Sequence, residues 1–378
     1  MRKIIGKILP YVFTGGICFA LIFPKLALSA NASSLAVENL YPSPTGVIAT
    51  PYGGNIESLT LIKVYIPLIS KTFPPDPTTS WYMETVNTEM LLSLGCQLGN
   101  RDRELSGQQD SIVILDFDSP TYTSGVYGAN LFGYGPVSTS AVAAAVKFFG
   151  AGYYNCVYPD RASTIVIAVG TNNCDSTTCS GAAIDGEYYA HGAAWAVMVN
   201  EIGSYFVTNG YYPQVRAYGA SDIEVGWNDY YTTRQWVDGY DSINNWPMFN
   251  FGDAEGCPQV RTGENSGCAN GWYQYTIWYV SGRGGVNSSS PLPLIYAKDG
   301  ANGRQWYSLS AYGVDLQNGR LELQGAVTQH LACSQRICPP GTNNSPQEGY
   351  INLYSALNSD PDTSQPLKWS TDIGYSGW

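Results

Sequence analysis

The stretch Val215-Arg216-Ala217-Tyr218-Gly219-Ala220-Ser221-Asp222-Ile223-Glu224 reads as a buried strand that ends in two carboxylates spaced i, i+2. On a strand that spacing points both side chains to the same face. Two acids on one face repel each other and resist loss of solvent, so a chain that keeps them uses them as a metal site or an acid/base pair, unless both are simply solvated at a strand's end. Ser111-Ile112-Val113-Ile114-Leu115-Asp116-Phe117-Asp118 repeats the form, an apolar run closing on acids at i and i+2. Two strands that end this way predict a shared mouth.

Outward from these runs the pattern is regular. Strands are expected over Ser111–Asp118, Ser163–Thr171, Val215–Glu224, Met248–Phe251, Leu292–Tyr296 and Leu321–Thr328. Helical segments are expected at 138–153, with Ser138 or Thr139 as N-cap, and at 186–207, 232–243, 270–280, 302–312 and 346–357. Nearly continuous apolar strands separated by helices predict parallel strands covered by helices. A closed barrel is favoured over an open doubly wound sheet, because polar residues recur where nearly every strand ends: Asp116 and Asp118, Thr171 with Asn172 and Asn173, Asp222 and Glu224, Asn250 with Asp253, Tyr296, and Thr328 with Gln329. No Gly-x-Gly-x-x-Gly or phosphate loop follows a strand, as an open nucleotide-binding sheet requires. The fold class is therefore α/β, a TIM-type (β/α) barrel over residues 110–378. Six strands are visible from Ser111, and a seventh and eighth lie either in the preceding segment or nowhere.

Residues 33–109 are rich in proline and polar residues and are expected to form an N-terminal arm or subdomain, with one strand-like run at Leu59–Ile66 and a helix-like segment near 79–98. Ahead of it, Arg2, Lys3 and Lys7 precede an apolar stretch from Ile8 to Leu28 and then Ala30-Asn31-Ala32, the form of a secretory signal peptide with its cleavage site. Gly15, Gly16, Pro24 and Lys25 weaken that stretch as a spanning anchor, and no later run approaches the ~20 apolar residues a spanning helix needs. A secreted chain without a stable membrane anchor is expected.

The 378 residues carry a formal charge of −11, and losing 1–32 removes four basic residues and no acid. So acidic a chain, with no local basic patch, is not a nucleic-acid binder. Eight cysteines remain after Cys18 leaves with the leader, an even count that reads as disulfides in an exported chain. Proximity pairs Cys174 with Cys179, Cys257 with Cys268 and Cys333 with Cys338, leaving Cys96 with Cys156. Zinc is the rival, weakened by the presence of only two histidines, His191 and His330, and no Cys-x-x-Cys. No cofactor is expected. Low charge with 29 Tyr and 10 Trp suits a polar ligand with apolar faces, of which sugars are the extracellular case, although most aromatics fill cores.

A strand ending in Asp, a second of the form Ile165-Val166-Ile167-Ala168-Val169-Gly170-Thr171, and a later one ending Asp222-Ile223-Glu224 resemble the glycoside hydrolase family 25 lysozymes and related glycoside-hydrolase-like barrels of secreted bacterial proteins. The resemblance covers about residues 111–330. It implies a glycosidase acting on peptidoglycan or another extracellular polysaccharide, with Glu224 as general acid, Asp222 as its partner, and Asp116 or Asp118 as the acid of the earlier strand. The family has a further strand before its Asp-x-Glu that finds no place between Thr171 and Val215. Downstream, Trp227, Tyr230 and Tyr231 are candidate stacking residues for sugar rings, and Asn250, Tyr296 and Gln329 candidate contacts to substrate. A non-catalytic glycan-binding or surface protein on the same barrel is the alternative. A serine or cysteine hydrolase with His191 as base lacks the Gly-x-Ser-x-Gly elbow.

Overall fold

The computed structural model describes residues 73–175, 177, 179, 184, 186–283 and 289–377. The expected leader and the run at Leu59–Ile66 lie outside the described residues. Pro67–Trp378 forms one unit.

In chain order the elements are β1 (Thr78–Tyr82), α1 (Thr88–Glu104), β2 (Asp110–Asp116), β3 (Ser119–Thr123), β4 (Val126–Leu131), β5 (Gly135–Ser138), α2 (Thr139–Cys156), β6 (Thr164–Asn172), α3 (Tyr188–Thr208), β7 (Val215–Asp222), α4 (Tyr230–Asp241), β8 (Met248–Asn250), α5 (Gln274–Trp278), β9 (Ser290–Pro291), α6 (Ala301–Leu316), β10 (Gly325–Thr328), α7 (His330–Gln335), α8 (Pro346–Leu357) and β11 (Trp369–Tyr375). Eight strands form one parallel sheet in the order β10-β11-β1-β2-β6-β7-β8-β9. Its two edges meet at a parallel bridge between Leu294 and Val327, where Ile295 N–H donates to the Val327 carbonyl at 2.7 Å and Val327 N–H to that of Pro293 at 2.9 Å. The result is the expected barrel of the TIM type, with short, irregular strands on the β8–β10 side.

Both missing strands are accounted for. β1 comes from the segment expected to be an arm, so the barrel begins before residue 110, and β11 is the C-terminal strand. The run at Ser111 is consequently the second barrel strand and Val215–Asp222 the fourth. The helix expected near 79–98 is displaced: β1 occupies its start, and α1 begins where the Asn87 side chain accepts from Met90 N–H at 2.9 Å. The helix expected at 270–280 is interrupted because Asn270 and Gly271 both hold left-handed backbone, leaving α5 and a π-helical turn after it.

Alternation along each strand divides the core in two. Ile112, Ile114, Val166, Ala168, Ala220, Phe249, Phe251, Leu292, Leu294, Val327 and Ile373 fill the barrel's interior. Their neighbours in sequence, such as Val113, Leu115, Ile167 and Val169, pack outward under the helices. α1 and α2 pack backbone to backbone, since a Cβ at Gly95 would stand 2.0 Å from the Phe149 carbonyl and one at Gly152 2.1 Å from that of Leu92. The Cys96–Cys156 disulfide ties the same pair, and the other three bridges are Cys174–Cys179, Cys257–Cys268 and Cys333–Cys338, as proximity suggested. Four disulfides fit an oxidising compartment. Among the described residues no helix is long and apolar enough to cross a membrane.

Between β2 and α2 the chain inserts an antiparallel meander, β3-β4-β5, whose first turn places Ser124 and Gly125 at positive φ, as a two-residue hairpin requires. His191 on α3 holds it down. Its Nε2–H donates to the Gly128 carbonyl at 2.7 Å, and its Nδ1 accepts from Trp236 Nε1 at 2.8 Å, which fixes the tautomer because an indole N–H only donates. Burial holds the imidazole neutral, its pKa lowered to about 4. With both nitrogens committed, this histidine is a structural tie and not a base.

Candidate active site

The inward-facing positions do not stay apolar to the top of the barrel. On β2 the series Ile112, Ile114 continues to Asp116, and two residues on to Asp118; on β6, Val166 and Ala168 lead to Gly170 and Asn172. On β7, Tyr218 and Ala220 lead to Asp222 and then Glu224, and after β8, Phe249 and Phe251 lead to Asp253. The same period that buries the hydrophobic layers thus delivers a layer of acids to the C-terminal end of the strands. That is the end where barrel enzymes carry their chemistry.

A cavity of about 350 Å³ opens there. Asp222, Glu224, Trp227, Tyr296 and Gln329 line it, so five of the residues expected from the sequence are brought together. Tyr82, Leu294, Pro339 and Thr342 complete the lining. Tyr82, in register with Asp116 on one side and Tyr375 on the other, packs at a tilt against the rings of Tyr375 and of Phe132 from the meander, at ring separations of 5.2 and 4.9 Å. Of these three rings, Tyr82 lines the cavity. Gln329 is held by its Nε2–H donating to the Thr342 carbonyl at 3.0 Å.

Asp222 lines the cavity and Asp116, in register with Tyr82 of that lining, does not; both are almost fully buried. Asp116 Oδ1 accepts from Asp118 N–H at 3.0 Å, whereas its Oδ2 and the Oδ1 of Asp222 meet no hydrogen-bond donor among the described residues. Burial, and then the negative charge of neighbouring acids, pushes both carboxyls well above the usual range, Asp118 acting chiefly on Asp116, and Asp116, Asp253 and Asp118 on Asp222. Asp118, in left-handed backbone, accepts from Asn172 Nδ2 at 2.9 Å and is pushed up to about 6 by burial. Glu224 is half-buried, and burial, followed by Asp253, Asp222 and Glu255, raises its pKa well above the ordinary glutamate value. Asp253 is pushed to about 6 by burial although it accepts from Val225 N–H at 3.1 Å and Tyr296 hydroxyl at 3.4 Å. Asn173 fixes the backbone of the key residue from both sides, its Nδ2 donating to the Glu224 carbonyl and its Oδ1 accepting from Glu224 N–H, each at 3.1 Å.

Three expected contact residues are not brought to this cavity. Tyr230 packs edge-on against Trp272 and near Arg234, in the outer helix layer. Tyr231, at the start of α4, is 70% exposed and does not line the cavity. Asn250 faces outward on β8, where its Nδ2 donates to Ser281 Oγ at 2.8 Å and its Oδ1 accepts from Gly252 N–H at 2.9 Å, so it is a structural link. Conversely, Tyr82 is not among the residues the sequence points to, and Asp253, expected at the rim, carries no assigned role there. Asp253 was within reach of the period-2 reading, being two residues beyond Phe251; Tyr82 sits in a strand too polar to be recognised.

The fold and the rim together define a parallel α/β barrel with an acidic cleft at the C-terminal end of its strands. No family model matches this chain, and no curated protein is similar to it in sequence.

Proposed function

We propose that this chain is an exported glycoside-hydrolase-like protein that cleaves a cell-wall or other extracellular polysaccharide by carboxylate acid/base catalysis. The observation that carries the reading is the pair on β7: Asp222 and Glu224 line one open cavity, and both hold their protons more tightly than ordinary acids. Glycoside cleavage needs one carboxyl kept protonated for the leaving oxygen and one carboxylate to support the oxocarbenium-like transition state or activate the nucleophile. Glu224, the more accessible of the two, fills the first role, and Asp222 fills the second in its ionised form. Asp116 and Asp118 set how much negative charge the floor holds. Tyr82, Trp227 and Tyr296 offer ring faces for the apolar sides of sugars, and Gln329 an amide for their hydroxyls. The leader-like N-terminus and the four disulfides support export.

Replacing Glu224 by Gln tests the assignment. Release of reducing ends from bacterial cell walls is expected to fall at least about a hundredfold, the scale of a lost general acid, with Tm retained. An active Gln variant ends the proposal, and a wild-type protein that retains oligosaccharide on an affinity gel without releasing reducing ends assigns the barrel to binding alone.

A further inference from the structure

Asp116, Asp118, Asp222, Glu224, Asp253 and Glu255 crowd one rim, and among the described residues none of the six makes an ion pair. Several acids elsewhere are paired: Arg261 alone is shared by Asp315, Asp360 and Asp362, and Asp110 takes Lys368 at 2.9 Å. Two carboxyl oxygens on nearly fully buried residues, Asp222 Oδ1 on the cavity's lining and Asp116 Oδ2 across β6 from it, meet no donor among the described residues. A buried carboxylate oxygen without a donor is costly, so a ligand that supplies N–H groups there is favoured.

We infer that the natural occupant of this cavity carries a protonated primary amine, as a de-N-acetylated amino sugar does, and that its ammonium group seats between Asp116 and Asp222. This rests on the sugar-cleaving reading and names its substrate class. An ammonium brings three N–H donors and a full positive charge, enough for both oxygens at once. An acetamido group brings one N–H and no charge, and so leaves one oxygen unmet and the rim's charge uncompensated. A metal ion is the weaker alternative, because among the described residues no three acidic, histidine or cysteine side chains are grouped to hold one. The aromatic wall at Tyr82, Trp227 and Tyr296 also suits a cation held against ring faces.

The test is calorimetric titration of the full mature chain with four hexasaccharides, β-1,4-glucosamine, α-1,4-galactosamine and the fully N-acetylated form of each, at near-neutral pH in low and high salt. At least one amine form is expected to bind about tenfold or more tighter than its acetylated counterpart. High salt is expected to narrow the gap, and Asp222→Asn to abolish it, while Trp227→Ala weakens both forms alike. Equal or tighter binding of the acetylated forms, absence of binding by both amine forms, or an advantage that survives Asp222→Asn overturns the inference, as does calcium that alone occupies the site and excludes the amines. A reducing-end assay on the same four separates the two readings. Cleavage confined to acetylated sugars removes the ammonium seat and keeps hydrolysis, whereas tight amine binding without cleavage keeps the seat and removes hydrolysis.

Discussion

Asp116 and Asp222 face the barrel interior from opposite sides of β6, Asp116 in register with Gly170 and Asp222 with Asn172. Gly170 puts no side chain between them, and a Cβ there would meet the Phe251 ring at 3.1 Å and the Asp116 Cα at 3.3 Å. Two acids are thereby left to sense each other across a gap floored by an aromatic ring.

That repulsion is stored against folding. Replacing either acid with asparagine keeps the shape and removes a group that must either take up a proton or carry a buried charge in the fold, so Asp116→Asn and Asp222→Asn are each expected to raise Tm at neutral pH by a few degrees. Hydrolysis by Asp222→Asn is expected to fall steeply at the same time. Thermal melts beside a reducing-end assay decide it, and an asparagine variant that melts lower contradicts the electrostatic account.

The pH dependence of stability follows with a definite sign. Asp116, Asp222, Glu224, Asp118 and Asp253 all have folded-state pKa values above the unfolded ones, the last two at about 6. The folded protein therefore binds more protons than the unfolded chain between about pH 4 and pH 6 and beyond, and this cluster's contribution is full below that window and lost as pH rises through it. Tm measured across the range is expected to be higher near pH 5 than near pH 7.5, and the difference is expected to shrink in Asp222→Asn.

On the proposed mechanism, activity has its own alkaline limb. Glu224 must keep its proton to serve the leaving oxygen, and after burial the largest influence holding that proton is the charge of Asp253. In Asp253→Asn that charge is gone, the Glu224 pKa falls, and the descending limb of the pH–rate profile is expected to move toward acid. A limb that stays put assigns it to another group.

His191 is expected to matter for the fold and not for the chemistry. His191→Ala strands the Trp236 indole N–H and the Gly128 carbonyl in a buried setting and opens a void, a loss of about 3 kcal/mol or more. Urea denaturation is expected to register that loss, and limited proteolysis to find the meander's first turn newly sensitive. The pH–rate profile of the surviving folded protein is expected to match wild type.

The barrel was legible where strands are apolar throughout, as in Ile165–Val169 and Ile112–Leu115. It was illegible in β1 and β11, because these strands bury hydroxyls in place of methyls: Ser80 Oγ meets Thr371 Oγ1 at 2.7 Å and accepts from Ile114 N–H at 2.8 Å, while Thr78 hydroxyl reaches the Ile112 carbonyl. A Thr-Thr-Ser-Trp-Tyr run carries no apolar signature, although its polar atoms are satisfied inside the sheet. The meander was missed for a different reason, its short strands being broken by Gly125, Gly133, Gly135 and Pro136. At the site, period-2 spacing found the acids of β2 and β7 because spacing is what carries them inward. It misread Asn250, which sits one residue out of phase with Phe249 and Phe251 and so points away from the axis.

Three of the four disulfides brace loops that leave the same end of the strands as the cavity: Cys174–Cys179 after β6, Cys257–Cys268 after β8, and Cys333–Cys338 beside the Pro339 and Thr342 segment. The wall of eight strands owes its cohesion to backbone pairing and apolar packing, which thiols do not disturb. A reductant would accordingly slacken the mouth of the cavity while the scaffold beneath stays assembled.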